Sequence, residues 1–230
     1  CNNSIEKAGG VYSYNIEQLF NIFLYETDSI IIEDVVALLE DSIRQYKHPR
    51  FISYRSLNSA IQEFEPYFGF SNLAYEVKLK YRNIFQFFLT RKNEVICDPK
   101  RENNCDSVIE KMEEFIFNPH DEYHLPEKQL IVDVFGDTIR VPNHFIFINA
   151  AMIPDSLGNK SSWIELKRLI MNTLSNYEKI SERYAHDKWN QGFNTLKPIQ
   201  QAYIREIIQI KIHIHLNTDY QEKPPRPDFV

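Results

Sequence analysis

The feature that most constrains this chain is a change of hydrophobic period partway along it. In "LAYEVKLKYRNIFQFFL" apolar residues fall at Leu73, Tyr75, Val77, Leu79 and Tyr81, with Glu76, Lys78, Lys80 and Arg82 between them. After Asn83 the same parity resumes at Phe85, Phe87 and Leu89. Successive side chains point to opposite faces of a strand, so this alternation predicts a half-buried strand and not a helix. The segment is either one long bent strand over 73–89 or two pieces separated by a bulge or turn near Arg82-Asn83. "NEVIC" then pairs back across Arg91-Lys92-Asn93.

The helical period governs other stretches. Ile16, Leu19, Phe20, Phe23 and Leu24 share one face, as do Ile32, Val35, Val36, Leu39, Ile43 and Tyr46, with Asp28 or Ser29 as the second cap. "RSLNSAIQEFEP" reads as a shorter third helix. "DSVIEKMEEFIF" turns Val108, Ile109, Met112, Phe115 and Ile116 inward. "SSWIELKRLIMNTLSNYEKISERY" is the longest helix, and "AHDKWNQGFNTLKP" reads as the loop after it. Gly136-Asp137 turns a hairpin between Leu130–Phe135 and Thr138–Val141, and Phe145 and Phe147 begin another strand. "AYIREIIQIKIHIHL" alternates through Ile208, Ile210, Ile212, Ile214 and Leu216. Helices, strands, helix, strands, helix, strand is the order of an α+β fold. One polar face per strand predicts an antiparallel or mixed sheet with long strands, packed by helices on one side. Residues 1–12 read as a polar tether, 13–218 as a single domain, and 219–230 as a Pro-rich tail.

At 230 residues the chain is long enough to bury a stable core without staples. Only 6 glycines leave little room for a Gly-rich phosphate loop. A formal net charge of −6 argues against a nucleic-acid binder, which needs a basic footprint, and suits a basic protein partner. No apolar run approaches the ~18 residues of a membrane span.

Little in the sequence carries catalysis, and no cofactor is expected. His120 and His124, four apart in "NPHDEYHLP", have the spacing of zinc ligands on a helix, but Asp121 follows the first and Pro119 and Pro126 leave under two turns. His213 and His215, at i and i+2 on the polar face of a strand, are the other weak metal candidates. No nucleophile elbow is present. Cys97 and Cys105 bracket "ICDPKRENNCDS", whose Pro and Asn residues suit a tight loop. They are either a disulfide, which implies an oxidising compartment, or two unrelated thiols.

Cys1 is then left over. Followed by Asn2, Asn3 and Ser4, it resembles the start of a mature bacterial lipoprotein after signal-peptide removal. The resemblance covers about ten residues and implies a lipid on Cys1, a bacterial cell-envelope location with the outer membrane favoured by Asn2, and a domain in the periplasm.

Two functional classes follow. The first is a non-enzymatic protein-binding module tethered to the membrane. Its concrete forms are an immunity protein that neutralises a secreted antibacterial toxin, or an accessory lipoprotein of a secretion or envelope assembly. The second is a metal-dependent hydrolase using His213, His215 and a carboxylate. For the first class, the expected contact surface is the charged loop and helix carrying Asp98, Lys100, Arg101, Glu102, Asp106, Glu110, Glu113 and Glu114, with the polar face of the last strand.

Overall fold

The computed structural model describes residues 16–44, 50–55, 67–70, 80–97, 108–152 and 157–216. The chain divides into two compact units, Cys1–Gln45 and Tyr46–Val230, so the division falls inside the span expected as one domain. In the first unit, helices α1 (Ile16–Tyr25) and α2 (Ser29–Arg44) pack on each other. Leu19, Phe20, Phe23 and Leu24 are buried on α1, and Val35 and Leu39 on α2. The turn between them is held by side chains. Glu26 Oε1 accepts the N–H groups of Thr27 and Asp28, and Asp28 Oδ1 caps α2 by accepting the Ile30 N–H at 2.9 Å.

The second unit is α+β. Its six-stranded sheet comprises β1 (Arg50–Arg55), β2 (Tyr67–Phe70), β3 (Ile84–Leu89), β4 (Val95–Cys97), β7 (Phe145–Ala150) and β8 (Lys211–Leu216), in the order β2-β1-β8-β7-β3-β4. β3 with β7 and β7 with β8 are parallel, and the remaining pairs are antiparallel. Parallel neighbours need crossovers. The first carries α3 (Val108–Phe117) and the hairpin β5 (Lys128–Val132) and β6 (Thr138–Pro142); the second carries α4 (Trp163–Trp189) and α5 (Pro198–Ile207).

Register explains the core. Phe85 lies beside Ile146 and that beside Ile212; Phe87, Ile148 and Ile214 form the next row, and Leu89, Ala150 and Leu216 the third. All nine side chains are buried on one face of the sheet. Each large one stabilises the fold by roughly 1.5–3 kcal/mol through burial. α3 lies on this face, with the Phe115 ring edge-on to Phe85 at 5.5 Å. α4 packs on α3. Phe117 stacks on Tyr184, and Arg183 bonds Glu113 at 2.8 Å.

Several local expectations are corrected. The described strands are short, six residues at most, and of the two readings of 73–89 the one with a turn near Arg82-Asn83 is found: a 3-10 turn at Tyr81–Asn83 precedes β3, while residues 71–79 lie outside the described residues. β1 and β2 were not expected; the expected third helix covers 55–66, of which Arg55 ends β1 and 56–66 lies outside the described residues. α4 does not end at Tyr184. It runs to Trp189 and stops at Asn190, whose left-handed backbone (φ 52°) ends the helix. The first half of "AYIREIIQIKIHIHL" is helix, because Pro198 opens α5 at its first turn and Tyr203, Ile204 and Ile207 form a buried helical stripe.

Candidate functional site

β8 lies between β1 and β7, and its expected polar face is only partly solvated: Lys211 is buried, and His213 and His215 are half-buried beside side chains of β7. Lys211 Nζ donates to Asn143 Oδ1 at 3.2 Å and sits 5.1 Å from the Phe145 ring centre. The His213 ring stacks on Phe147, centroids 5.0 Å apart, and also meets Phe145. His215 Nδ1 lies 3.2 Å from Asn149 Oδ1. Burial, and then the charge of Lys211, pull the His213 imidazole down to about 4, and burial lowers His215 as well. Both rings are therefore neutral at pH 7. Neutral imidazole is the form that binds metal. Yet among the described residues no three His, Cys, Asp or Glu side chains converge to hold one. The strand instead builds an aromatic and amide stack.

His120 and His124 lie on exposed turns and not on a helix, as the flanking Pro119 and Pro126 predict. Their loop is organised by Asn118, itself buried. Its Nδ2 donates to the carbonyls of Pro126 and Glu122 at 3.0 and 3.3 Å, and its Oδ1 accepts the Glu122 N–H at 2.8 Å. Asn118 and Asp121 both adopt positive φ, which a helix forbids. His124 Nε2 is 3.1 Å from Glu122 Oε2. Asp121 binds Lys128 and Arg140, and the Lys128 hydrogen bond holds its carboxyl below the usual range. Asn118→Ala orphans three bonded backbone groups, and we expect a loss of about 2 kcal/mol in urea unfolding.

The acidic loop-and-helix surface is only partly described. Cys1, Asp98, Lys100, Arg101, Glu102, Cys105 and Asp106 lie outside the described residues. Of the remainder, Glu113 and Glu110 hold Arg183, at 2.8 and 3.5 Å, so two of the expected contact carboxylates are engaged within the fold. Glu114 is exposed.

The β5–β6 hairpin was not singled out from sequence as a surface. Asp133 Oδ1 accepts the N–H groups of Phe135 and Asp137, both at 2.9 Å, and Gly136 takes φ 86°, so this turn is built without strain. Ile131, Ile139 and Val141 point to the side turned inward, where Val141 is buried. Leu130 and Val132 point to the other, at 70% and 69% exposure, with Phe135 at 49% exposure on the turn. Asn143 N–H bonds Glu127 O at one end and Asp133 N–H bonds Asp137 O at the other. Alternation then turns the peptide groups of Lys128, Leu130 and Val132 away from β6. Pro142, with no N–H to give, sits opposite Lys128, where none is needed. Among the described residues β5 pairs only with β6, so its outer edge presents N–H and C=O groups beside an apolar strip. The available signal was Leu130-Ile131-Val132 itself: an apolar run with no polar face.

A scan of family models found no match, and searches of curated proteins and of solved structures found none either. Among the described residues no helix is long and apolar enough to cross a membrane.

Proposed function

We propose that this chain is an envelope-anchored, periplasm-facing lipoprotein whose folded part binds another protein, an immunity protein against a secreted antibacterial toxin being its most concrete form. The carrying observation is the β5 edge: two adjacent outward apolar side chains, both about 70% exposed, on a strand with an open hydrogen-bonding edge. Such an edge accepts an extended segment by strand addition, with main-chain bonds supplying affinity and alternate side chains specificity. The partner presents an extended apolar segment and carries net positive charge, complementary to the −6 of this chain.

The compartment belongs to the same proposal. Cys1 carries the lipid, in the outer membrane, and Cys97 pairs with Cys105. Support for the pairing comes from Cys97, which is buried at the end of a sheet strand and whose sulfur is bonded and not a free thiol. Mass spectrometry of the envelope fraction tests both: an acylated N-terminal peptide and a Cys97–Cys105 cross-linked peptide are expected, and unmodified thiols contradict the assignment.

The binding reading is tested on the hairpin. Leu130→Lys with Val132→Lys alters only exposed side chains, so the melting temperature stays within a few degrees while partner affinity falls at least tenfold. Unchanged affinity in the folded double variant overturns the assigned surface.

A further inference from the structure

We propose that the end of α4 and the facing side of α5 form a binding site for a methylated ammonium group, held closed by the chain's own Lys188. The observation is an aromatic enclosure around a cation. Lys188 Nζ lies 3.8 Å from the centre of the Tyr203 ring, 5.3 Å from that of Trp189 and 5.9 Å from that of Tyr184. Three ring faces thus converge on one ammonium, the arrangement by which proteins recognise quaternary ammonium ligands.

The sequence produces this locally. Tyr184 and Lys188 are four apart on α4 and so lie on one face, and Trp189 follows at the last turn. Asn190 ends the helix there, leaving the ammonium beside a helix end and not beneath a further turn. Tyr203 comes from α5, where its helical position turns it inward.

The rings are fixed from behind. Trp189 meets Tyr203 edge to face, centroids 5.8 Å apart at 79°, which makes two walls of a corner. Tyr184 is packed against the stacked Phe117 ring at 5.4 Å, and burial together with the neighbouring Tyr203 raises its hydroxyl pKa. Phe135 backs Tyr203 at 5.5 Å. Rings held on their outer faces do not collapse when the cation leaves, and preorganisation of this kind favours a ligand.

Lys188 is an imperfect occupant. Its ammonium is strongly hydrated, and fixing its long side chain costs rotamer entropy. A methylated ammonium is weakly hydrated and arrives without that stem. The residue is exposed, so it swings out at little cost to the fold. The ligand chemistry is a methylated ammonium, either free or as the headgroup of a lipid.

The test titrates the full chain with choline, read by the upfield shift of its N-methyl proton resonance. The wild type binds weakly, in the millimolar range, because choline must displace Lys188. Lys188→Ala and Lys188→Met each tighten binding at least tenfold. Adding Trp189→Leu to Lys188→Ala removes the upfield shift, with a thermal melt confirming that the variant is folded. Retention of Lys188→Ala on phosphatidylcholine vesicles and not on phosphatidylglycerol vesicles assigns a lipid headgroup; binding of free choline alone assigns a soluble ligand. If neither Lys188 variant binds choline more tightly than the wild type, or if the folded Trp189 variant keeps the shift, the proposal is overturned.

Discussion

Acidification below pH 6.5 is expected to unfold the second unit steeply, with His144 as the largest single contributor. This residue is fully buried. Its ring stacks on Tyr177 at 6.1 Å and meets Phe115 edge-on, and its Nδ1 lies 3.3 Å from the Pro142 carbonyl. Burial first, and then the charge of Lys211, pull its imidazole down to about 3 against weaker upward pulls from backbone hydrogen bonds of Pro142 and Gln209. The unfolded chain takes up the proton near 6.5, whereas the folded chain refuses it until about 3. Between these values the unfolded state binds more protons, so stability is full above pH 6.5 and declines as pH falls. His144 alone weakens the folding equilibrium about tenfold per pH unit in that window, roughly 5 kcal/mol by pH 3. His213, held near 4, adds to the slope between 6.5 and 4. Urea unfolding at a series of pH values measures this. His144→Phe keeps a ring on Tyr177 and is expected to reduce the slope by close to one proton. An unchanged slope in that variant contradicts the assignment.

Phe115→Ala is expected to cost about 3–5 kcal/mol, the range for truncating a buried aromatic ring. The ring is fully buried and joins three parts of the unit: it meets Phe85 on β3, meets His144 beside β7, and anchors α3 itself. Truncation leaves a cavity at the point where α3 sits on the sheet. It also removes a wall of the His144 site. The double variant with His144→Phe therefore departs from additivity, and a thermodynamic cycle in urea reads the difference. A loss under 1 kcal/mol for Phe115→Ala means that α3 is not held on the sheet through this ring.

The core was legible because its pattern is local. Phe85, Phe87 and Leu89 announce their face by parity alone, and Met112, Phe115 and Ile116 by helical spacing; both sets are buried. The end of α4 and the start of α5 were not legible. "AHDKWNQGF" is polar enough to read as loop, and Ile204, Ile207, Ile208 and Ile210 fit both a strand and a helix over so short a run. Tertiary packing of Tyr203 and Ile204 decided for helix. The β8 histidines were misjudged for a different reason. Alternation assigns a residue to a face, but it does not say whether that face meets water. Phe145, Phe147 and Asn149, from a strand some 65 residues earlier in the chain, half-bury His213 and His215. Part of the acidic surface is engaged within the fold for a similar reason, since Arg183, on another helix, bonds Glu110 and Glu113. The apolar run Leu130-Ile131-Val132 was a signal, but such a run fits a strand buried on both faces equally well, so the exposure of Leu130 and Val132 could not be read from it.

The central claim is that this chain binds its protein partner along β5. A photo-crosslinking amino acid placed singly at positions 130, 114 and 213 of the full chain, expressed in cells and irradiated, tests it most directly. One discrete adduct is predicted from position 130 and none from 114 or 213. Val132→Pro removes an N–H that points away from β6, so it should abolish that adduct while the protein keeps its melting temperature within a few degrees. An adduct from 114 or 213 with none from 130, or an adduct from 130 that survives Val132→Pro, contradicts the account.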